Sequence, residues 1–162
     1  MRFCRLFVVL GFTLASCRES TSPDLGSLVG EWADTPHVNQ DGTTYQQFLT
    51  LRADRSYVMD FRTSLAGRAG LDELVAYSRA EGSFSVRNDS LFEHAIFIRT
   101  WDRSVNGGKE TVTQVGDRRL QPGQPDASGA HYEVSAGTLR LNYLSFPADA
   151  AVETEMTYFR VP

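Results

Sequence analysis

Two eight-residue stretches of this chain follow one pattern, and that pattern leaves little choice but antiparallel β-structure. Phe84-Ser85-Val86-Arg87-Asn88-Asp89-Ser90-Leu91 aligns with Tyr132-Glu133-Val134-Ser135-Ala136-Gly137-Thr138-Leu139. The shared order is an aromatic residue, any residue, Val, two residues of any type, Asp or Gly, a hydroxyl residue and Leu. The central residues are types that tolerate the positive φ of a tight hairpin turn, and the apolar residues at alternate positions of each arm share one face. A looser third version, Leu49 to Tyr57, turns on Asp54. Pairing Leu51 with Tyr57 and Leu49 with Met59 gathers Leu49, Leu51, Tyr57, Met59 and Phe61 on one side. The same logic groups Tyr132, Val134, Leu139, Leu141 and Tyr143.

The rest of the chain reads the same way. Aromatic and β-branched residues alternate with polar ones in short runs separated by Gly, Asp and Asn, and no stripe of 3.6-residue period appears. Strands are expected near residues 28–34, 45–52, 56–63, 75–87, 90–102, 110–116, 130–135, 138–144 and 152–160, with one short helical piece near Ala69 to Ala76 and a long loop over 117–130. Consecutive hairpins, each apolar on one side, most simply close into an up-and-down barrel, because closure removes exposed edges. The expected fold is therefore all-β: a single antiparallel up-and-down barrel of about eight to ten strands.

The first residues belong to a different grammar. Arg2 and Arg5 precede an apolar run from Leu6 to Leu14, and Leu14-Ala15-Ser16-Cys17 closes it. The run is too short to span a bilayer. This arrangement resembles the signal peptide and lipobox of bacterial lipoproteins. The resemblance implies cleavage of residues 1–16, lipidation of Cys17, and a membrane partnership through several acyl chains, each buried methylene contributing about 0.8 kcal/mol. Arg18 stands where an aspartate commonly signals inner-membrane retention, which points to the outer membrane of a bacterial cell envelope. Residues 17–27, lipidated Cys17 and the polar run from Arg18 to Ser27, form the tether, and 28–162 the barrel domain.

Cleavage would remove Cys4 and two arginines, leaving Cys17 as the one cysteine and taking the formal charge from -4 to -6. A lipid-bearing sulfur forms no disulfide, so stability must come from one packed core. The acidic balance argues against nucleic acid, whose phosphates call for a basic face.

The two ends of the domain carry a second resemblance. Gly30-Glu31-Trp32 on the first expected strand resembles the G-x-W of lipocalins, and Arg160 stands at the end of the last strand. In that family a tryptophan closes one end of the barrel and an arginine packs across it. The T-D-Y stretch of lipocalins is missing, so the chain is more similar to the broad lipocalin-like group of small bacterial barrels. The resemblance implies that Gly30, Trp32 and Arg160 hold the barrel closed. A cation over an indole face is favourable in any case, by about 0.5 to 2 kcal/mol.

No signature of catalysis assembles. His37, His94 and His131 are scattered without H-x-H or H-E-x-x-H spacing, G-x-S-x-G does not occur, and Asn106-Gly107 reads as a hairpin turn rather than a phosphate loop. Glu153 and Glu155 fall on one strand face, too close together to act across a sugar. The reading is of a protein that is not an enzyme and takes no metal or cofactor.

One strand departs from clean alternation. With Val86 opposite Leu91, residues Leu91, Glu93, Ala95, Phe97, Arg99 and Trp101 would face inward, leaving Phe92, His94, Ile96 and Ile98 outside. A bulge near Phe92 would reverse part of this. Otherwise the loop 64–74 or a protein partner must cover strand 90–102. For function, the inward set of Tyr57, Met59, Phe61, Phe84, Tyr132, Tyr143, Met156 and Tyr158 is expected to line a ligand cavity. Buried phenols need hydrogen-bond partners that a dry core seldom supplies. A small hydrophobic or amphipathic ligand is one expected partner; the alternative is an envelope scaffold or inhibitor that binds protein through its outer surface.

Overall fold

The computed structural model describes residues 25–66, 72–115, 129–145 and 152–162. A helical turn, α1 (Leu25–Leu28), precedes ten strands: β1 (Gly30–Ala33), β2 (His37–Val38), β3 (Thr43–Leu51), β4 (Ser56–Ala66), β5 (Asp72–Arg87), β6 (Ser90–Asp102), β7 (Thr111–Gln114), β8 (Gly129–Ser135), β9 (Thr138–Ser145) and β10 (Val152–Arg160). Cys17 and most of the 117–130 segment lie outside the described residues; the last two residues of that segment begin β8.

The hairpins pair as their alternation dictates. Leu51 faces Tyr57, Val86 faces Leu91 and Val134 faces Leu139. Their turns hold Asn88, Ala136 and Gly137 at φ of 52°, 46° and 82°. In the third hairpin Arg55 takes the positive φ (65°), while the Asp54 carboxylate accepts from the Ser56 amide at 2.9 Å and hydroxyl at 2.7 Å. Such local bonds hold the turn without help from the core.

All strand pairs are antiparallel, and β1 joins both β3 and β10, so β1, β3, β4, β5, β6, β8, β9 and β10 form a closed eight-stranded barrel. Strand β7 pairs with the upper part of β6 and β8 with its lower part. The two therefore share one position in the wall. The short β2 pairs with β3 beyond the segment that β1 covers.

One end is sealed. Leu28, Trp32, Leu49, Leu51, Leu139, Leu141 and Tyr158 are at most 1% exposed. The Trp32 indole donates to the Leu28 carbonyl at 2.9 Å, so α1 is stitched beneath the barrel. Residues 25–27, expected in the polar tether, instead belong to this cap or border it: burying Leu28 repays ordering one turn. Arg160 lies opposite Trp32 with its guanidinium carbon 4.5 Å from the ring centroid, and donates to the carbonyls of Ser27 (2.7 Å) and Val29 (3.3 Å). A Cβ at Gly30 would stand 3.1 Å from Arg160 Nη1, which is why a residue without one suits this position.

Three expectations need correction. Residues 72–76 are strand, not helix: Leu65 pairs with Glu73 and Ala66 with Asp72, and these ladder bonds override a weak local preference. Residues 69–71 are outside the described ones. For the same reason residues 64–66 and 72–74 form the end of a hairpin and not a loop over β6. Lastly, the bulge in β6 falls at Ile96, not near Phe92: Glu81 is opposite Phe97 while Gly82 is opposite Ala95. Gly82 permits it, because a Cβ there would sit 1.9 Å from the His94 carbonyl oxygen.

The bulge reverses the alternation beyond it. Leu91, Glu93 and Ala95 face inward as expected, but Ile98, Thr100 and Asp102 then take the inner face, and Phe97, Arg99 and Trp101 move outside. Trp101 stacks on Tyr77 at 5.9 Å and donates to the Gly108 carbonyl at 2.7 Å, and Tyr77 donates to Glu110. The segment 103–110, carrying the turn at Asn106–Gly108, thus covers this part of the outer face. Phe92 lies against Gly129, whose missing side chain makes room for the ring.

Candidate functional site

Above the sealed end several inward side chains are only partly buried. Met59, Ala80, Tyr143, Met156 and Glu93 sit on inward positions yet keep part of their surface accessible. In a close-packed core such positions would be fully occluded.

Glu93 is the most informative of them. It faces inward from β6, flanked by Leu91 and Ala95, because Leu91 pairs with Ala130 on one side and Val86 on the other. Burial pushes its carboxyl up to about 7 from an ordinary 4.5, and its Oε1 is buried without a hydrogen-bond partner. No cation pairs with it among the described residues. Three phenols converge on it from other strands: Tyr57 of β4, Tyr143 of β9 and Tyr158 of β10. Burial raises the Tyr57 hydroxyl to about 12, with the Glu93 charge adding to it. Burial likewise raises Tyr143 and Tyr158, each also under the field of Glu93. The Tyr143 hydroxyl is buried and unpaired, while Tyr158 donates to the Met156 sulfur at 3.7 Å.

Gln47 adds a third orphan. It is 3% exposed on the inner face of β3, beside Leu49, and its Nε2 has no acceptor. The Asp34 carboxylate fixes the backbone here, accepting from the Gln47 amide at 2.8 Å. Burial raises Asp34, and its charge adds to the field on Tyr158. Leaving a buried donor or acceptor unmade costs about 1 to 3 kcal/mol each, so these three inner atoms, like Asp60 Oδ1, Arg79 Nε and Asn142 Oδ1 on the outer face, call for a partner from water or a ligand.

The described residues of the other end form a cleft, the candidate mouth. Phe61, Ser78, Thr100 and Thr111 are successive cross-strand neighbours on β4, β5, β6 and β7, and together with Asp102, Lys109 and the outer-face rings of Tyr77 and Trp101 they line a rim cleft of about 340 Å³. Phe61 is 47% exposed there. The row of Phe61 stands four residues above that of Tyr57, which is about 13 Å of strand. Met59 and Ala80 lie between them.

The structure therefore divides the expected cavity set. Tyr57, Phe84 and Tyr158 belong to the packed core; Met59, Tyr132, Tyr143 and Met156 border it and are partly accessible; Phe61 stands at the mouth. Glu93 and Gln47 were not in that set. Glu93 had a readable signal, an acid at an inward position between two apolar residues of the same face. Gln47 had none beyond its parity with Leu49. His94 and His131 are exposed on outer positions, His37 is exposed on β2, and Glu155 is exposed on the outer face of β10. No protein-family model matches this chain, and no curated protein shows significant similarity to it.

Proposed function

We propose that this protein is a lipid-anchored, lipocalin-like protein of the bacterial envelope whose barrel holds one small amphipathic molecule. The observation that carries the reading is the set of unpaired buried polar atoms at Glu93 and Tyr143, on the inner surface of a barrel sealed at the Trp32 end, with a cleft at Phe61 among the described residues of the other end. An eight-stranded barrel is wide enough for one such ligand, and a few convergent polar groups in an otherwise apolar cavity are what fixes its orientation. Lipidation at Cys17 would keep the cavity at the membrane surface, where amphipathic molecules concentrate.

A second reading has its own support. Ile96, Phe97 and Val112 are 43%, 38% and 50% exposed on adjoining strands, a patch suited to a protein partner of an envelope scaffold. Fluorescence titration with the neutral probe N-phenyl-1-naphthylamine decides between them. Saturable binding at one site, weakened or strengthened by Phe61→Ala but unaffected by Ile96→Ser, supports the cavity. Absence of binding removes it in favour of the outer patch. Replacing Cys17 with serine should release the protein from the membrane fraction, and unchanged fractionation would remove the anchor.

A further inference from the structure

We propose that the barrel's ligand is an organic ammonium, a protonated amine on an apolar body, seated with its nitrogen at Glu93 among Tyr57, Tyr143 and Tyr158. The inference rests on the cavity reading and names the class of molecule that fills it.

The inward groups around Glu93 are its carboxyl and neutral phenols, whose oxygens accept as well as donate. Tyr57, Tyr143 and Tyr158 face it from β4, β9 and β10, and Asp34 acts on Tyr158; among the described residues no arginine, lysine or histidine joins them. With Glu93 ionised, such a site repels a carboxylate or a phosphate. An ammonium brings three donors and no acceptor. It can give one hydrogen to Glu93 Oε1 and another to the Tyr143 hydroxyl oxygen, both buried on the inner face without a partner. The phenol rings favour a cation further, since their faces are negative. Desolvation makes each contact stronger than it would be in water, and an unpaired buried carboxylate gains most from a counter-charge.

The apolar body has a defined route. From Glu93 the inner face passes Met59 and Ala80 before reaching Phe61 and the cleft, so the ammonium lies deep and the body points to the mouth. Methionine side chains suit such a channel, being apolar and adaptable. Gln47 Nε2 is the one inward orphan a cation cannot satisfy; it is left for an oxygen further along the body.

Proton balance supplies a signature. Below neutrality Glu93 is largely protonated, and seating an ammonium requires its carboxylate form, so the carboxyl proton leaves to solvent as the ammonium enters.

The test uses three matched probes on the purified full-length protein by calorimetry: tryptamine (cationic), tryptophol (neutral) and indole-3-propionate (anionic). At pH 8 tryptamine should bind at least about tenfold more tightly than tryptophol, with indole-3-propionate weakest. Titrations in buffers of different ionisation enthalpy should show most of one proton released per tryptamine at pH 6 and almost none at pH 8.5, with no release for tryptophol. Glu93→Gln should abolish the preference for tryptamine over tryptophol. Equal affinities for tryptamine and tryptophol in the unmodified protein, or tryptamine binding without proton release at pH 6, overturn the proposal. If N-phenyl-1-naphthylamine still binds in that case, the cavity reading stands and only the ammonium fails; if no probe binds, both fall.

Discussion

Glu93 should make the protein less stable as pH rises, and the size of the effect follows from its burial. A carboxyl whose folded pKa is about 7 against an ordinary 4.5 prefers to fold protonated. Below about pH 4.5 it is protonated in both states and costs nothing. Between 4.5 and 7 the unfolded chain ionises while the folded one does not, so stability is lost progressively. Above 7 both forms are ionised and the full penalty stands, about 3 kcal/mol at 1.36 kcal/mol per unit. Glu93→Gln keeps the shape and removes the charge. Urea unfolding followed by tryptophan fluorescence, at half-unit steps from pH 4 to 8.5, gives both stabilities. Other carboxylates, Asp34 included, titrate in both proteins and cancel in the difference. The variant should match the parent near pH 4 and exceed it by up to about 3 kcal/mol at pH 8, the rise centred between 5 and 7. A difference that stays flat across this range, or a variant that loses stability at high pH, would show that Glu93 is either solvated or paired.

Three further outcomes follow from the packing. Trp32→Ala should cost about 3 to 5 kcal/mol, and Arg160→Ala less; a double-mutant cycle by urea denaturation should give a coupling of about 0.5 to 2 kcal/mol, and strict additivity would mean that the guanidinium does not rest on the indole. Gly82→Ala places a methyl 1.9 Å from a backbone oxygen, which a flexible side chain cannot absorb, so it should destabilise by about 1 to 3 kcal/mol or move the bulge, and a parent-like denaturation midpoint would refute the packing at Ile96. Phe84→Ala should cost about 3 to 5 kcal/mol whereas Phe61→Ala should stay within about 1 kcal/mol while changing probe affinity, because the first ring is 3% exposed and the second 47%; equal losses in thermal melts would place Phe61 in the core.

The chain's local grammar determined its strands and their registers. The turns at Asn88, Ala136 and Arg55 and the alternation of the flanking residues act within about ten positions, so each hairpin is specified by its own residues. Trp32 and Arg160 were likewise legible as a pair, since a G-x-W start and an arginine near the chain's last residue need only be matched to each other. What alternation alone missed lay where two strands meet. The bulge at Ile96 depends on Gly82, fourteen residues away and across a hairpin, and it alone decides whether Ile98 or Phe97 enters the barrel. The same holds for the cap: Leu28 reads as one more apolar residue until Trp32 bonds to its carbonyl.

The candidate site belongs to tertiary structure almost entirely. Tyr57, Glu93, Tyr143 and Tyr158 come from four different strands, and no spacing between them announces that they converge. Their meeting point is set by ring closure between β1 and its two partners, which carries the inward rows of distant hairpins to one level of the barrel. Parity placed each of these side chains inside. Only closure decided which of them share one electrostatic field, and it left the Glu93 Oε1 without a hydrogen-bond partner.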